Sequence, residues 1–494
     1  MKSFNNNVCH CWLAQQCFLA FTFFLALSSL FVESIQAAEQ PNIIFFLSDD
    51  QRADFLGCAG HPILKTPVLD GLAAKGVRFE NAFVTTSICA ASRATLFTGL
   101  WERSHKYTFG TPPISTAKID ASYPAVLKKA GYKTGFVGKF GVSAGKGGTD
   151  RMFDSYVPLN RNPYFKKQPD GSTRHLTEIV GDHAISFLKT CKADQPFSLS
   201  VSFNASHAED NDKENHFPWP KAMDGLYDDV TIPPPLVDVD HWKQLPKFFH
   251  TAMHRTRFFW RWDTPEKYQH NVKAYYRMIS GFDRVIGRVL DAAKQQGFAE
   301  NTVVIFMGDN GYYKGSRGFA GKWSHFEESL RVPLIIYDPR APKEIRGRVE
   351  KQMALNVDVT ATMVSLATGK APASYQGRDL TSFVYGKQPK NWRTDFFCEH
   401  LMERFDIPKY EGVRGSRYVY ARYFEHMPEG EFLHDLKTDP QQLKNLAIDP
   451  EYTKVLITMR NRTNELRDEL GGEYNRENFP LQQRRKPKKK PKTK

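Results

Sequence analysis

Asn42-Ile43-Ile44-Phe45-Phe46-Leu47-Ser48 runs directly into Asp49-Asp50. Its centre is continuously apolar, the mark of a strand buried on both faces of a parallel sheet. The same arrangement returns at Thr302–Gly308, which is followed by Asp309-Asn310-Gly311. In open α/β sheets ligands bind beyond the carboxyl ends of the strands. Both acidic motifs therefore fall where a site is expected. Adjacent carboxylates repel one another unless a cation or a proton intervenes. Asp49, Asp50 and Asp309, with the amide carbonyl of Asn310, form a hard, all-oxygen set. Such a set suits Ca²⁺ best, Mg²⁺ less well, and Zn²⁺ poorly. Strand ends also carry Asp as turn and cap residues, but two acidic pairs at matching strand ends favour a metal.

Outward from these strands, apolar runs alternate with helical patterns. Further strands are predicted over 134–140, 197–203 and 332–337, and helices over 66–76, 122–130, 176–190, 268–296 and 357–368. Pro67 suits a first helical turn and Gly76 a stop. This alternation predicts an α/β fold with a large mixed, mostly parallel sheet sandwiched by helices. After about residue 375 the pattern changes to short strands over 395–399, 418–424 and 432–435, then a helix over 452–470. These predict a small C-terminal α+β subdomain, a four-stranded antiparallel sheet plus a helix. No internal repeat is present.

Composition bounds the compartment. Lys2 precedes an apolar run over 17–32 and small residues at Ala37 and Ala38, the layout of a secretory signal peptide over 1–38. The run is too short for a stable membrane anchor, so export to the periplasm or the extracellular space is expected. Cys58, Cys89, Cys191 and Cys398 remain after the leader, too few for a disulfide scaffold. The formal net charge is +14, and eight basic side chains without an acid lie in residues 484–494. A Lys/Pro tail over 476–494 cannot bury apolar surface and is expected to be disordered. It suits an anionic polymer such as a sulfated polysaccharide, and nucleic acid is not expected as a partner. The expected layout is a catalytic domain over 39–374 and a C-terminal subdomain over 375–475, between leader and tail.

One further run carries chemistry. Cys89-Ala90-Ala91-Ser92-Arg93-Ala94-Thr95-Leu96-Phe97-Thr98-Gly99 puts a cysteine at a helix start with an arginine four positions later on the same face. The run resembles the signature of the type I, formylglycine-dependent sulfatases of the alkaline phosphatase superfamily. The resemblance extends through Pro41 to Asp50, Gly138-Lys139, Ser206-His207, Gly308 to Gly311, and Gly321-Lys322. It continues with Glu327 to Pro333, and Leu436 to Pro440 before Asn445-Leu446. Seven ordered blocks are jointly specific.

The resemblance implies a sulfuric ester hydrolase in which Cys89 is converted to 3-oxoalanine (formylglycine), whose hydrated aldehyde is the nucleophile. It implies Asp49, Asp50, Asp309 and Asn310 as Ca²⁺ ligands, and Arg93 as the residue that neutralises and orients the hydrate. Lys139, His207 and Lys322 would contact the sulfate or leaving-group oxygens. These residue types fit the chemistry, because a sulfate ester is an anion and cations must offset charge in the transition state. Two hydroxyls on one carbon allow the second to lose its proton and eject sulfate, an escape that a serine sulfate would lack. A formylglycine-generating or anaerobic sulfatase-maturating enzyme would be the partner. One departure stands out. The family usually has Gly-Lys-x-His after the third strand, whereas this chain has Gly138-Lys139-Phe140-Gly141.

For the leaving group, the segment 204–265 is distinctive. It is rich in Pro and charge and holds Trp219, Trp242, Trp260 and Trp262, four of the eight tryptophans. Long insertions of this kind are more often functional than idle. Within it, the run from His254 to Trp262 interleaves cations with aromatic faces. Aromatic rings stack on sugars while arginines pair with neighbouring sulfates, so Arg257 and Arg261 are predicted to bind substrate. The leading expectation is a secreted sulfatase acting on a sulfated carbohydrate. The alternatives are a phosphomonoester or phosphonate hydrolase of the same superfamily, and a non-catalytic binder of sulfated glycans.

Overall fold

β1 (Asn42–Ser48) occupies the middle of an eight-stranded sheet. The other strands are β2 (Val77–Phe79), β3 (Lys133–Gly138), β4 (Ser155–Pro158), β5 (Phe197–Ser202), β6 (Thr302–Gly308), β7 (Leu334–Tyr337) and β8 (Arg348–Glu350). Their order is β8-β2-β7-β6-β1-β5-β3-β4. β1 pairs in parallel with β5 and β6, and β5 in parallel with β3, so four adjacent central strands share one direction. β7 runs antiparallel to both its neighbours, which makes the sheet mixed. The computed structural model describes residues 40–109, 112–212 and 214–479. The predicted signal peptide and residues 480–494 of the predicted tail lie outside them.

Every β1 residue is buried because helices cover both faces. The principal helices are α1 (Pro67–Lys75), α2 (Cys89–Thr98), α3 (Tyr123–Lys129), α4 (Leu176–Leu188), α5 (Met253–Arg261), α6 (Pro265–Gln295), α7 (Asn356–Thr368) and α8 (Thr453–Leu470). Ile43, Phe45 and Leu47 join one core with Leu96 and Phe97 of α2, Leu127 of α3 and Val364 of α7. Ile44 and Phe46 join the other with Leu72 of α1, Val180 of α4 and Phe282 of α6. β5 alternates Phe-Ser-Leu-Ser-Val-Ser, a pattern of a half-exposed strand, yet its serines are buried as well. Ser200 Oγ bonds the hydroxyl of Tyr123 at 2.6 Å, so the polar face is satisfied inside the protein.

The C-terminal sheet has four antiparallel strands, β9 (Asp395–His400), β10 (Tyr410–Gly415), β11 (Tyr418–Arg422) and β12 (Glu431–Asp435). β10 has no segment assigned to it by sequence pattern. Glu411, Gly412 and Arg414 interrupt its alternation, because both charges serve as buried partners. Glu411 pairs with Arg103 at 2.7 Å, and Arg414 with Glu327 at 3.0 Å. The predicted tail begins too early. Arg476–Asn478 forms a 3-10 turn, and Phe479 stacks on Tyr474 with ring centroids 5.6 Å apart. That apolar anchor orders residues which composition alone assigns to the tail. No helix of the described residues is long and apolar enough to cross a membrane.

Candidate active site

The parallel strands β6, β1, β5 and β3 end side by side, and each delivers residues to one edge. Asp49 and Asp50 follow β1, Asp309 and Asn310 follow β6, His207 lies beyond β5, and Lys139 follows β3. Backbone bonds lock these turns together. Asp309 N–H donates to Ser48 O at 3.0 Å, and Ser206 N–H to Asp49 O at 2.8 Å. Asp50 N–H donates to the Asp309 carboxylate at 3.2 Å. Asp50 has φ +56°, a conformation costly for a residue with a β-carbon. The Tyr275 hydroxyl, 2.5 Å from its carbonyl, and Asn310 Nδ2, 2.7 Å from its carboxylate, hold it there.

Cys89 is the first residue of α2, and Arg93 lies one turn further along. Arg93 is only 1% exposed. Its Nε donates to Asp309 at 2.7 Å and a terminal nitrogen to the Lys139 carbonyl at 2.6 Å. Lys139 Nζ pairs with Asp49, and Lys322 Nζ with Asp50. Cys89, Lys139, His207 and Lys322 all line one cavity of about 640 Å³. Nine predicted catalytic and metal residues thus converge. The four cysteines of the described residues are free thiols.

Charge sets the protonation states. Burial pushes the Asp49 carboxyl up, but Lys139, Arg93 and Lys322 together outweigh it and hold it below the usual range. Asp309 is pushed up by burial and by the neighbouring Asp49, against the pull of Arg93. Burial first, then Arg161, Lys322 and Lys139, drive the His207 imidazole well below its ordinary value. These causes favour the neutral ring. Its Nδ1 lies 2.8 Å from the Ala208 carbonyl and must carry the proton, which leaves the Nε2 lone pair 3.6 Å from Asp50.

The donor set fits a hard divalent cation. Asp49, Asp50 and His207 bring ligand atoms within 4.8 Å of one another. Asp49 Oδ1 and Asn310 Oδ1 are buried without a hydrogen-bond partner. Buried acceptors of this kind are rare unless an ion or water completes them. Asp309 is engaged by Arg93 instead, so its place in the predicted ligand set depends on a shared carboxylate.

At the position of the family histidine, Gly141 lines the cavity. It has φ +74°, and a β-carbon there would meet Arg93 Cδ at 2.7 Å. Glycine is required by the path of Arg93. Arg257 also lines the cavity, but Arg261 does not: its side chain is 1% exposed and pairs with Asp210. The predicted direct contact of Arg261 with substrate is thus corrected to support of Asp210. The aromatic run is mostly packing, with Phe258 and Trp262 buried and Trp262 set against Tyr268 and Tyr312. Sequence reading misses Arg161, Asp210, Trp323 and Arg404, which also line the cavity. The one signal for Arg161 is its position just beyond the end of β4.

The profile described as "Sulfatase" matches residues 41–370, two thirds of the chain. The chain belongs to the sulfatase family. A second profile, "N-sulphoglucosamine sulphohydrolase, C-terminal", matches residues 315–469 of this sulfatase. An N-acetylglucosamine-6-O-sulfatase of Bacteroides thetaiotaomicron is 25% identical, over 87% of each chain. A solved structure in complex with its substrate D-glucosamine-2-N,6-O-disulfate superposes with a TM-score of 0.76 at 22% identity, covering 87% of this chain and 98% of that one. The phosphonate monoester hydrolase of Agrobacterium radiobacter shares the fold with a TM-score of 0.71 at 22% identity, over 87% and 96%. The family makes the chain a sulfuric ester hydrolase, and the architecture is that of the sulfatase fold.

Proposed function

We propose that this sulfatase is exported and removes sulfate from a sulfated carbohydrate, using formylglycine formed at Cys89 and Ca²⁺ held by Asp49, Asp50, Asp309 and Asn310. The observation that carries the reading is that Cys89 shares a cavity with Lys139, Lys322 and His207, and that these pair or cluster with Asp49 and Asp50 of the hard-oxygen set. The named sulfatase relatives support the carbohydrate class. Residues 1–38 would be removed as a leader, 39–374 would form the catalytic domain and 375–479 its C-terminal subdomain, followed by the basic stretch 484–494.

In this reading Asp49, Asp50, Asp309 and Asn310 would hold Ca²⁺, which would supply Lewis acidity toward the sulfate ester. Formylglycine formed at Cys89 would supply a hydrated aldehyde as the nucleophile. The chain's own residues do the rest. Lys139 and Lys322 donate to sulfate oxygens and offset the repulsion between anion and nucleophile. Arg93 fixes the Asp309 and Lys139 turns against α2 and so orients residue 89. His207, neutral with a bare Nε2, can take a proton from the attacking hydroxyl or ligate the ion. The Cys89 thiol is the precursor on which a maturating enzyme acts.

Co-expression with a formylglycine-generating enzyme followed by mass spectrometry of the Cys89 peptide tests the nucleophile. Thiol converted to aldehyde is expected, and a persistent unmodified thiol in an active enzyme would refute the mechanism. Rates on an aryl sulfate and the matching aryl phosphate separate sulfatase from phosphate-ester chemistry. Sulfate release from defined sulfated oligosaccharides excludes a merely binding role.

A further inference from the structure

Asp210, in the loop beyond β5, receives three guanidinium groups. Arg257 lies 3.1 Å from Oδ2, Arg161 lies 3.6 Å from the same oxygen, and Arg261 pairs with Oδ1. Among the described residues none of the three has another carboxylate within 4.0 Å. Three cations against one anion leave an excess of two positive charges. The contrast with the neighbouring site is sharp, because Lys139–Asp49, Lys322–Asp50 and Arg93–Asp309 are matched one to one. The uncompensated charge of this wall is therefore localised at Asp210.

The cluster is also under-bonded. Arg257 Nε and Arg261 Nε are buried without a hydrogen-bond acceptor. The Arg161 and Arg257 side chains are only 22% and 17% exposed, so water screens them weakly. Arg161 is held in place by donating from Nε to the Ala208 carbonyl at 3.1 Å. Arg257 lies over the Trp323 ring, 5.1 Å from its centroid, which fixes the plane of its fork. Arg161, Arg257, Asp210 and Trp323 line the same cavity as Cys89, whereas Arg261 braces Asp210 from behind. A rigid, charge-excess pair of guanidiniums in a cavity matches the planar, bidentate recognition of sulfate or carboxylate.

We propose that Arg161 and Arg257, braced on Asp210, form a second anion subsite, so that the substrate carries a second anionic group besides the sulfate that is cleaved. This rests on the sulfatase reading and narrows its substrate class to sugars with two anions on the same or adjoining rings. The second anion is a sulfate or a carboxylate, both of which satisfy the fork.

Calorimetric titration of the full chain with non-hydrolysable ligands tests it without turnover. Benzenesulfonate carries one anion, benzene-1,3-disulfonate and naphthalene-2,6-disulfonate two sulfonates, and 3-sulfobenzoate a sulfonate and a carboxylate. At about 20 mM salt, where screening is slight, at least one dianion is expected to bind about tenfold tighter than benzenesulfonate. Whether sulfobenzoate or a disulfonate gains more identifies the second group. In R161Q and in R257Q the dianion-to-monoanion ratio is expected to fall to near one, with R161K and R257K retaining part of it. A purely structural role would weaken all four ligands alike and leave the ratio in place, which overturns the proposal. A wild-type ratio near one overturns it too, and that measurement needs no variant to fold. Phenyl sulfate hydrolysis by the matured enzyme is read separately. If hydrolysis is absent while the dianion preference persists, the sulfatase mechanism fails and the subsite stands.

Discussion

Gly141 shows why a missing functional group is not always replaceable in place. At φ +74° a β-carbon costs about 1–2 kcal/mol, and here it would also displace Arg93 from Asp309 and from the Lys139 carbonyl. G141H is therefore expected to lower kcat/KM on an aryl sulfate by about 10²-fold, with G141A lower as well. A rise in kcat for G141H would show that only the imidazole was lacking. A second residue has its charge strained by burial. Lys314 sits within 3.1 Å of the Tyr276 hydroxyl and 4.6 Å from the Phe55 ring centroid, near the Arg52–Asp54 pair, without an ion pair of its own to a described carboxylate. Burial first, then the nearby Arg52, push its ammonium down to about 7. The folded value lies below the unfolded one, so between about pH 7 and 10 the unfolded chain holds more protons and folding strengthens as pH rises. K314M should be more stable than wild type at pH 6. That gap should close by about 1.4 kcal/mol per pH unit above pH 7, as read from urea melts at fixed Ca²⁺.

The elements place these residues. The carboxyl ends of β1, β3, β5 and β6 form one edge because those strands are adjacent and parallel. Cations and carboxylates from four turns are thereby forced together, and a bound divalent ion would relieve the orphaned Asp49 and Asn310 oxygens. Chelation should lower the melting temperature, and added Ca²⁺ should restore it. At a hundredfold excess over Kd the gain is about 2.7 kcal/mol. In D49N the increment should vanish, as differential scanning fluorimetry with and without Ca²⁺ would read. α5 contributes through one face only. Phe258 packs inward while Phe259 is half exposed, Arg261 is buried on Asp210, and Met253 and Arg257 reach the cavity. Replacing Arg257 or Arg261 by alanine should weaken turnover of a sulfated polysaccharide more than that of a small aryl sulfate. Equal losses on both would remove α5 from substrate recognition.

The whole molecule completes the cavity with its C-terminal part. Met402, Arg404 and Ile407, between β9 and β10, form one wall. Arg103, just after α2, is 3% exposed and joins Glu399 of β9 at 2.9 Å and Glu411 of β10 at 2.7 Å. Removing one partner of a buried network leaves charge uncompensated, so R103A should cost about 3–5 kcal/mol. Chemical denaturation would measure it, and a loss below about 1 kcal/mol would make the network dispensable. Deleting residues 484–494 should leave aryl sulfate turnover unchanged and raise KM for a polyanionic substrate at low salt only.

Much of this was legible without a structure. A continuously apolar strand, an acidic strand end and a cysteine four residues before an arginine are local signals, written in the period and chemistry of short segments. They mark the central strands and suggest a metal-type set, while the resemblance to the family singles out Cys89. What they cannot carry is adjacency. β10 hides its strand character because Glu411 and Arg414 have partners, Arg103 and Glu327, more than 80 positions away in sequence, with Arg422 of the next strand also on Glu411. Arg161 and Asp210 look like ordinary loop charges until three guanidiniums meet one carboxylate. The exclusion of a side chain at Gly141 comes from Arg93 of another element, packed across the strand edge. Local chemistry therefore picks out candidate reacting groups, whereas the charge balance and free space around them arise only from long-range packing.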